Sequence, residues 1–191
     1  MCALHEKFEI RLATTEEIPQ VKALLERYHT KNLQTDKERT NGFVTTDMTE
    51  QQLEMLLSVE NGVAVAFERS TGTLAGLLLG ASWQFLSDWP MFLHMVELLP
   101  EHRHEGKKLS PENCYQYGPI CIAEEYRGEG VGEALADFQR KVFGERYPIS
   151  ATFINFKNRR SLSFHERYGW KHSGEFGFNG NGYFLLTIGT L

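Results

Sequence analysis

Three glycines at alternate positions, Gly128, Gly130 and Gly132, stand between an apolar strand-like run and a helix-like run. Glycine enters backbone conformations closed to other residues, so a turn this rich in it brings N–H groups close to a ligand. The first N–H groups of the following helix have no partner inside that helix and carry the positive end of its dipole. The chain is thereby constrained to a strand, a tight turn and a helix, and the turn is an anion site suited to a pyrophosphate.

Around this turn the sequence alternates between the two secondary-structure periods. Residues 8–13 read as a strand, and Thr14 with Glu17 forms a capping box for a helix bearing Ile18, Val21, Leu24, Leu25 and Tyr28 on one face. Residues 32–47 are polar and loop-like apart from Phe43 and Val44, after which Thr49 and Gln52 cap a helix carrying Leu53, Leu56 and Leu57. Residues 63–67 and 74–79 flank Ser70-Thr71-Gly72 as a hairpin. Residues 87–113 are a long insertion between strands, helical over 88–99 and a charged loop over 102–108, and insertions of this length often carry function. Residues 117–123 form the apolar strand that delivers the chain to the glycines.

Beyond the turn, Val131, Leu135, Phe138 and Val142 mark an amphipathic helix, and residues 149–156 a strand. Residues 158–168 read as a helix closed by Gly169, and Asn179-Gly180-Asn181-Gly182 turns a final hairpin. No linker, internal repeat or low-complexity tract divides the sequence, so residues 1–191 are expected to form a single α/β domain with an insertion at about 87–113.

The 191 residues, 41% hydrophobic and 24% charged, have the composition of a soluble globular protein able to bury about 70% of its extended surface. A formal charge of −5 disfavours nucleic acid or an anionic membrane as partner. Cys2, Cys114 and Cys121 form neither a disulfide framework nor a metal-style pair. They suit a reducing compartment, and with no signal-peptide pattern and no apolar run long enough to span a bilayer, a cytoplasmic location is expected.

Two familiar phosphate motifs fail on residues. A P-loop requires Gly-Lys-Ser/Thr, and no Lys follows Gly132; a dinucleotide fingerprint requires a third glycine where Glu133 stands. Arg127, Gly130 and Gly132 do fill the defined places of Arg/Gln-x-x-Gly-x-Gly/Ala, preceded by the strand Ile120-Cys121-Ile122. Downstream, residues 158–170 run as a helix from Asn158 to Gly169-Trp170. In these two motifs, their order and their separation, the sequence resembles the GCN5-related N-acetyltransferase superfamily. The resemblance covers nearly the whole chain, least of all residues 87–113.

That resemblance implies an α/β (α+β) fold: a central mixed, mostly antiparallel twisted sheet flanked by helices and splayed at the cofactor strand. It implies transfer of an acetyl group from acetyl-CoA to a primary amine by direct attack in a ternary complex, without a metal. The acceptor would be a small-molecule or peptide amine. Members of the family often form homodimers, although no stripe here specifies an interface.

On the same resemblance, the N–H groups of Gly128, Glu129, Gly130, Val131, Gly132 and Glu133 receive the pyrophosphate of coenzyme A, while Arg127 positions the turn or supports phosphate charge. Ile120 and Ile122 lend their backbone to the pantetheine arm, where an N–H also polarises the thioester carbonyl. Asn158 either contacts the cofactor or caps its helix, and Ser161 is a cofactor contact or a small packing residue. His165 stands where many members carry a tyrosine that protonates the departing thiolate, and residues 161–166 resemble a Ser-x-x-Phe/Leu-His-Glu variant found in some branches. An imidazolium near pKa 6.5 would pass its proton downhill to a thiolate near 8.5, whereas burial favours the neutral ring. His165 is therefore a general acid or a packed, hydrogen-bonded histidine.

The base is open. Glu112, Glu124 and Glu125 lie near the cofactor strand and Glu97 in the insertion, and no spacing identifies one of them. His102 and His104 sit among Glu101, Arg103, Glu105, Lys107 and Lys108 with no third ligand, so a solvated loop is expected rather than a metal site. Trp83, Phe85, Trp89 and Phe92 line an acceptor pocket or belong to the core. Cys121 has no histidine beside it to activate a thiolate. The competing reading is a non-catalytic acyl-CoA-binding or sensor protein that keeps the turn without the acid and base. A nucleotide phosphate binder would instead prefer ATP to CoA.

Overall fold

The computed structural model describes residues 2–35 and 39–190, so residues 36–38 of the 32–47 loop lie outside the described residues. In chain order the elements are α1 (Cys2–Lys7), β1 (Phe8–Leu12), α2 (Ile18–Arg27), α3 (Glu50–Glu60), β2 (Val63–Glu68) and β3 (Thr73–Ala81). They continue with α4 (Pro90–Leu98), β4 (Arg103–His104), β5 (Lys107–Lys108), β6 (Cys114–Ile122) and α5 (Val131–Gly144). The last are β7 (Ile149–Asn155), α6 (Arg159–Arg167), β8 (Lys171–Phe178) and β9 (Asn181–Gly189).

Among the described residues the strands form a seven-stranded sheet of order β1-β2-β3-β6-β7-β9-β8, with β4 and β5 as a separate pair. The β6–β7 ladder is parallel, and the ladders β1–β2, β2–β3, β7–β9 and β8–β9 are antiparallel. This is the mixed, mostly antiparallel α/β architecture expected from the sequence. The chain groups into two compact units, and β6 belongs to both: its residues from Gly118 onward to the first, those up to Tyr117 to the second.

In the first unit, local chemistry sets the helix starts. The Glu17 carboxylate accepts from Thr14 N at 2.8 Å and takes both Arg11 guanidinium nitrogens, at 2.8 and 2.6 Å, so the capping box also ties β1 to α2. Thr49 and Gln52 exchange reciprocal bonds of 2.9 and 3.2 Å at the start of α3. Ile18, Val21, Leu24 and Leu25 of α2 are buried, as the period predicts. Residues 63–67 of β2 and 74–81 of β3 are buried without alternation, which places these strands in the middle of the sheet with both faces covered.

In the second unit the insertion is a built element. Helix α4 lies on the sheet through Phe92 against Phe153 at 5.7 Å between ring centroids and His94 against Phe178 at 5.4 Å. The stretch expected as a charged loop is instead the β4–β5 hairpin, with Arg103 opposite Lys108 and His104 opposite Lys107. Its turn uses two successive positive φ values, 47° at Glu105 and 84° at Gly106, which match strand twist. The hairpin is anchored by its histidines: His102 Nδ1 lies 3.1 Å from Ser173 O and His104 Nδ1 2.9 Å from Thr187 Oγ1. Dense charge on its exposed side hides the alternation from a sequence reading. β6 also begins three residues before the expected 117, because Tyr115 is held by stacking on Phe143 at 4.2 Å. No helix among the described residues is long and apolar enough to cross a membrane.

The His102 ring leaves no room for a side chain on β8, since a Cβ at Gly174 would meet ring atoms at 2.2 Å. Gly174→Ala should displace the insertion from the sheet and cost about 1–3 kcal/mol in denaturant unfolding. Introduced into His102→Ala, the same Gly174→Ala change should cost much less than in the wild-type chain, whereas an undiminished cost would mean that the ring is not the obstacle.

Candidate functional site

In the first unit, the glycine turn is braced before it begins. Ala123 N donates to Ala75 O at 2.9 Å, which holds the end of β6 against β3. A short 3₁₀ turn, Glu124–Tyr126, follows, and Glu124 N donates to the Tyr28 hydroxyl oxygen at 2.9 Å. Arg127 Nε donates to Ile122 O at 3.0 Å, and its guanidinium lies 4.9 Å from the centre of the Tyr28 ring. Arg127 thus fastens the turn to the strand that precedes it, and Tyr28, at the end of α2, supports both ends of the 3₁₀ turn. Sequence reading saw Tyr28 only as the last member of an apolar stripe.

The turn then bends through Gly128 at φ 85° and Gly130 at φ 84°. Both angles lie in the region that a Cβ disfavours, which is the first reason these positions are glycine. Gly130 O accepts from Ala134 N at 3.0 Å and so caps α5, a helix of fourteen residues from Val131 to Gly144. The N–H groups of Val131, Gly132 and Glu133 lie in the first turn of that helix, without carbonyls of their own helix to bind. Upstream on β6, Cys121 faces inward while Ile120 and Ile122 are half-buried. Gly76 of β3 makes room for Ile122, whose Cδ1 would stand 2.7 Å from a Cβ at that glycine. Residues 120–133 thus form one continuous run of strand, brace, turn and helix start.

In the second unit, three further residues share α6. Asn158 is buried, and its Oδ1 accepts from Ser161 N at 3.3 Å as an N-cap. One turn on, His165 is 2% exposed, with Nδ1 2.7 Å from Ser161 O and 3.5 Å from Ser161 Oγ. A carbonyl oxygen only accepts, so the ring proton sits on Nδ1 and the lone pair on Nε2. Among the described residues Nε2 has no hydrogen-bond partner; the rings of Tyr117, Trp170 and Phe164 surround it at 5.6, 5.1 and 5.1 Å between centroids. Burial pushes the His165 imidazole down to about 4, with the Ser161 carbonyl opposing the shift.

The carboxylates considered as bases, Glu97, Glu112, Glu124 and Glu125, are all exposed. Glu125 pairs with Arg27 at 3.3 Å and is held below the usual carboxylate range by its own backbone N–H and that pair. Glu112 is likewise lowered, by hydrogen bonds from Ser110 and its own backbone. Glu124 is exposed on the 3₁₀ turn. Burial pushes the Cys121 thiol up to about 12, so it is protonated at neutral pH and is no nucleophile. Trp83 is buried in the core, whereas Phe85 and Trp89 stack half-buried at 6.5 Å. No group of three or more His, Cys, Asp or Glu residues able to hold a metal occurs among the described residues.

No family model matches the sequence, and no curated protein matches it. Solved structures do match the fold. An acetyltransferase of the GNAT family from Streptococcus pneumoniae is 16% identical, with 96% of this chain and 99% of that one covered at a TM-score of 0.62. The yncA protein of Salmonella typhimurium, whose structure includes its cofactor acetyl-CoA, is 10% identical over 96% and 94% of the two chains at 0.63. The ribosomal-protein-S18-alanine N-acetyltransferase of Escherichia coli is 9% identical over 96% and 94% at 0.60.

His165 gives the fold a pH dependence of definite sign. Its folded pKa of about 4 lies below the ordinary 6.5, so the unfolded chain binds more protons between these values. The corresponding stability is complete above pH 6.5 and is lost as pH falls towards 4. Between pH 7.5 and pH 5 the loss should be on the order of 2 kcal/mol. Denaturant unfolding of the wild-type chain and His165→Leu at the two pH values should show a smaller loss in the variant. Equal losses would mean that the ring titrates normally.

Proposed function

We propose that this chain, whose fold is that of the GCN5-related N-acetyltransferases, transfers an acetyl group from acetyl-CoA to a primary amine, residues 1–191 acting as one acetyltransferase domain. The observation that carries the reading is the braced turn, in which positive φ at Gly128 and Gly130 leads into the first-turn N–H groups of a fourteen-residue helix, which have no carbonyl of that helix to bind. That arrangement suits a pyrophosphate, and coenzyme A carries one. The neighbouring structures, described as acetyltransferases and in one case holding acetyl-CoA, support the same donor.

In this reading the N–H groups from Gly128 to Glu133 bind the pyrophosphate, and the backbone at Ile120 and Ile122 pairs with the pantetheine arm. An N–H of that strand stabilises the oxygen of the thioester carbonyl as the amine attacks. The new C–N bond forms, the C–S bond breaks, and coenzyme A leaves as a thiolate that takes up, directly or through solvent, the proton the amine loses. No acyl-cysteine takes part, because the Cys121 thiol is protonated and buried. Asn158 and Ser161 are assigned to order the start of α6 as well as to contact the cofactor. The free, buried thiols of Cys114 and Cys121 accord with a reducing, cytoplasmic setting.

For His165 the observations favour a positioning role over proton donation. Its ring is neutral at pH 7, and its one proton is committed to Ser161 O at 2.7 Å. The same observation favours a second reading, an acyl-CoA sensor that binds without turnover. Thiol release from acetyl-CoA with a broad panel of amines, measured beside calorimetric CoA binding, separates the two. Tight binding with no turnover on any amine would establish the sensor.

Gly130→Val forces a β-branched residue to φ 84°, so it should lower acetyl-CoA affinity by more than about tenfold. The strain should also lower the melting temperature by about 2–10 °C while the chain stays folded at 25 °C, so affinity is compared on the folded variant. Unchanged affinity, or a preference for ATP over CoA in the wild-type chain, would overturn the donor assignment. In an active enzyme, His165→Gln should leave kcat within about threefold across the pH range. A large fall in kcat at constant KM would instead make the ring a catalytic acid or base.

A further inference from the structure

An anion-binding turn with a carboxylate at its centre poses an electrostatic problem. Glu129 lies between Gly128 and Gly130, and Glu68 of β2 is close by. Left uncompensated, these two negative charges oppose a polyphosphate at the same turn. The segment that answers them comes from the far end of the sequence. Lys7, the last residue of α1, places Nζ 2.5 Å from Glu129 Oε2 and 3.9 Å from Glu68 Oε1. The ammonium also lies 5.2 Å from the centre of the Phe8 ring and 5.9 Å from that of Tyr126, the residue that opens the turn.

Independent contacts hold this lysine in place. Arg69 N donates to Lys7 O at 2.9 Å, and Arg69 Nε donates to His5 O at 3.1 Å, so the β2–β3 loop grips the end of α1. The Tyr126 hydroxyl donates to Glu68 Oε2 at 3.1 Å, orienting one of the two carboxylates. Leu4 lies along the Cα–Cβ direction of Gly130, its Cδ1 3.4 Å from where a Cβ would stand. Residues 4–7 thus lie against the turn, an apolar side chain on its central glycine and a cation on its central carboxylate.

We propose that Lys7 acts on the cofactor turn through Glu129: by pairing with that carboxylate it cancels the charge that would repel a polyphosphate there. The inference rests on the reading of the turn as a pyrophosphate site and adds to it a determinant 120 residues upstream of the motif. Because the pair is half-exposed, its effect on binding is moderate and screened by salt.

Calorimetric titration with CoA, and separately with inorganic pyrophosphate, tests it at low and high ionic strength on five proteins: wild type, Lys7→Gln, Lys7→Arg, Glu129→Gln and the Lys7→Gln/Glu129→Gln double variant. At low salt Lys7→Gln should weaken CoA binding by about three- to tenfold, and Glu129→Gln should leave it unchanged or tighter. The double variant should return to within about twofold of wild type, and all differences should shrink at high salt. Lys7→Arg should behave as wild type. A lysine that served only to pack α1 would lose affinity equally with or without Glu129 and at either salt concentration. That result, or an unaltered affinity in Lys7→Gln, overturns this inference alone. Failure of the wild-type chain to bind either CoA or pyrophosphate overturns the donor assignment and this inference with it.

Discussion

Two backbone angles, φ 85° at Gly128 and 84° at Gly130, are the constraint on which the turn depends. Without them the chain could not leave β6, pass through the 3₁₀ turn and enter α5 along this path. A conformation of this kind persists only where its surroundings hold it. Tyr28 supplies much of that support, accepting from Glu124 N and lying under the Arg127 guanidinium, while Arg127 binds the Ile122 carbonyl. The arginine of the motif therefore acts on the protein backbone.

A different principle governs the second unit, where aromatic packing removes charge. Tyr117, Phe164 and Trp170 crowd His165, and the low dielectric they create keeps the ring neutral. Burial elsewhere in this unit pushes the Cys114 thiol up to about 11, so it too stays protonated at neutral pH. Fixed dipoles, backbone N–H groups and helix starts are thus the main chemical resource these residues offer. Such groups stabilise developing charge without changing their own protonation.

Much of this was legible in the sequence because it is written in local patterns. The capping boxes at Thr14 and Thr49, the apolar stripe of α2, the Asn179-Gly180 turn and the Asn158 cap each involve residues within four positions of one another. The β4–β5 hairpin was not legible. Its strands are two residues long, and its stability comes from His102 and His104 reaching Ser173 and Thr187, about seventy and eighty positions away. Two histidines in a charged stretch carry no sign of such partners. Tyr28 and Lys7 were missed at the turn for the same reason, since each acts on it from roughly a hundred residues upstream.

By itself the sequence determined the alternation of strands and helices and the position of the glycine-rich turn, because backbone propensity and hydrophobic period act over short stretches. Only the tertiary structure decided the state of the groups around them. The ionisation of His165 depends on how deeply rings from β6 and α6 enclose it, and the charge presented by Glu129 depends on a lysine brought across from α1. Electrostatic energy is set by distance and local dielectric, and both are properties of packing that the order of residues does not display.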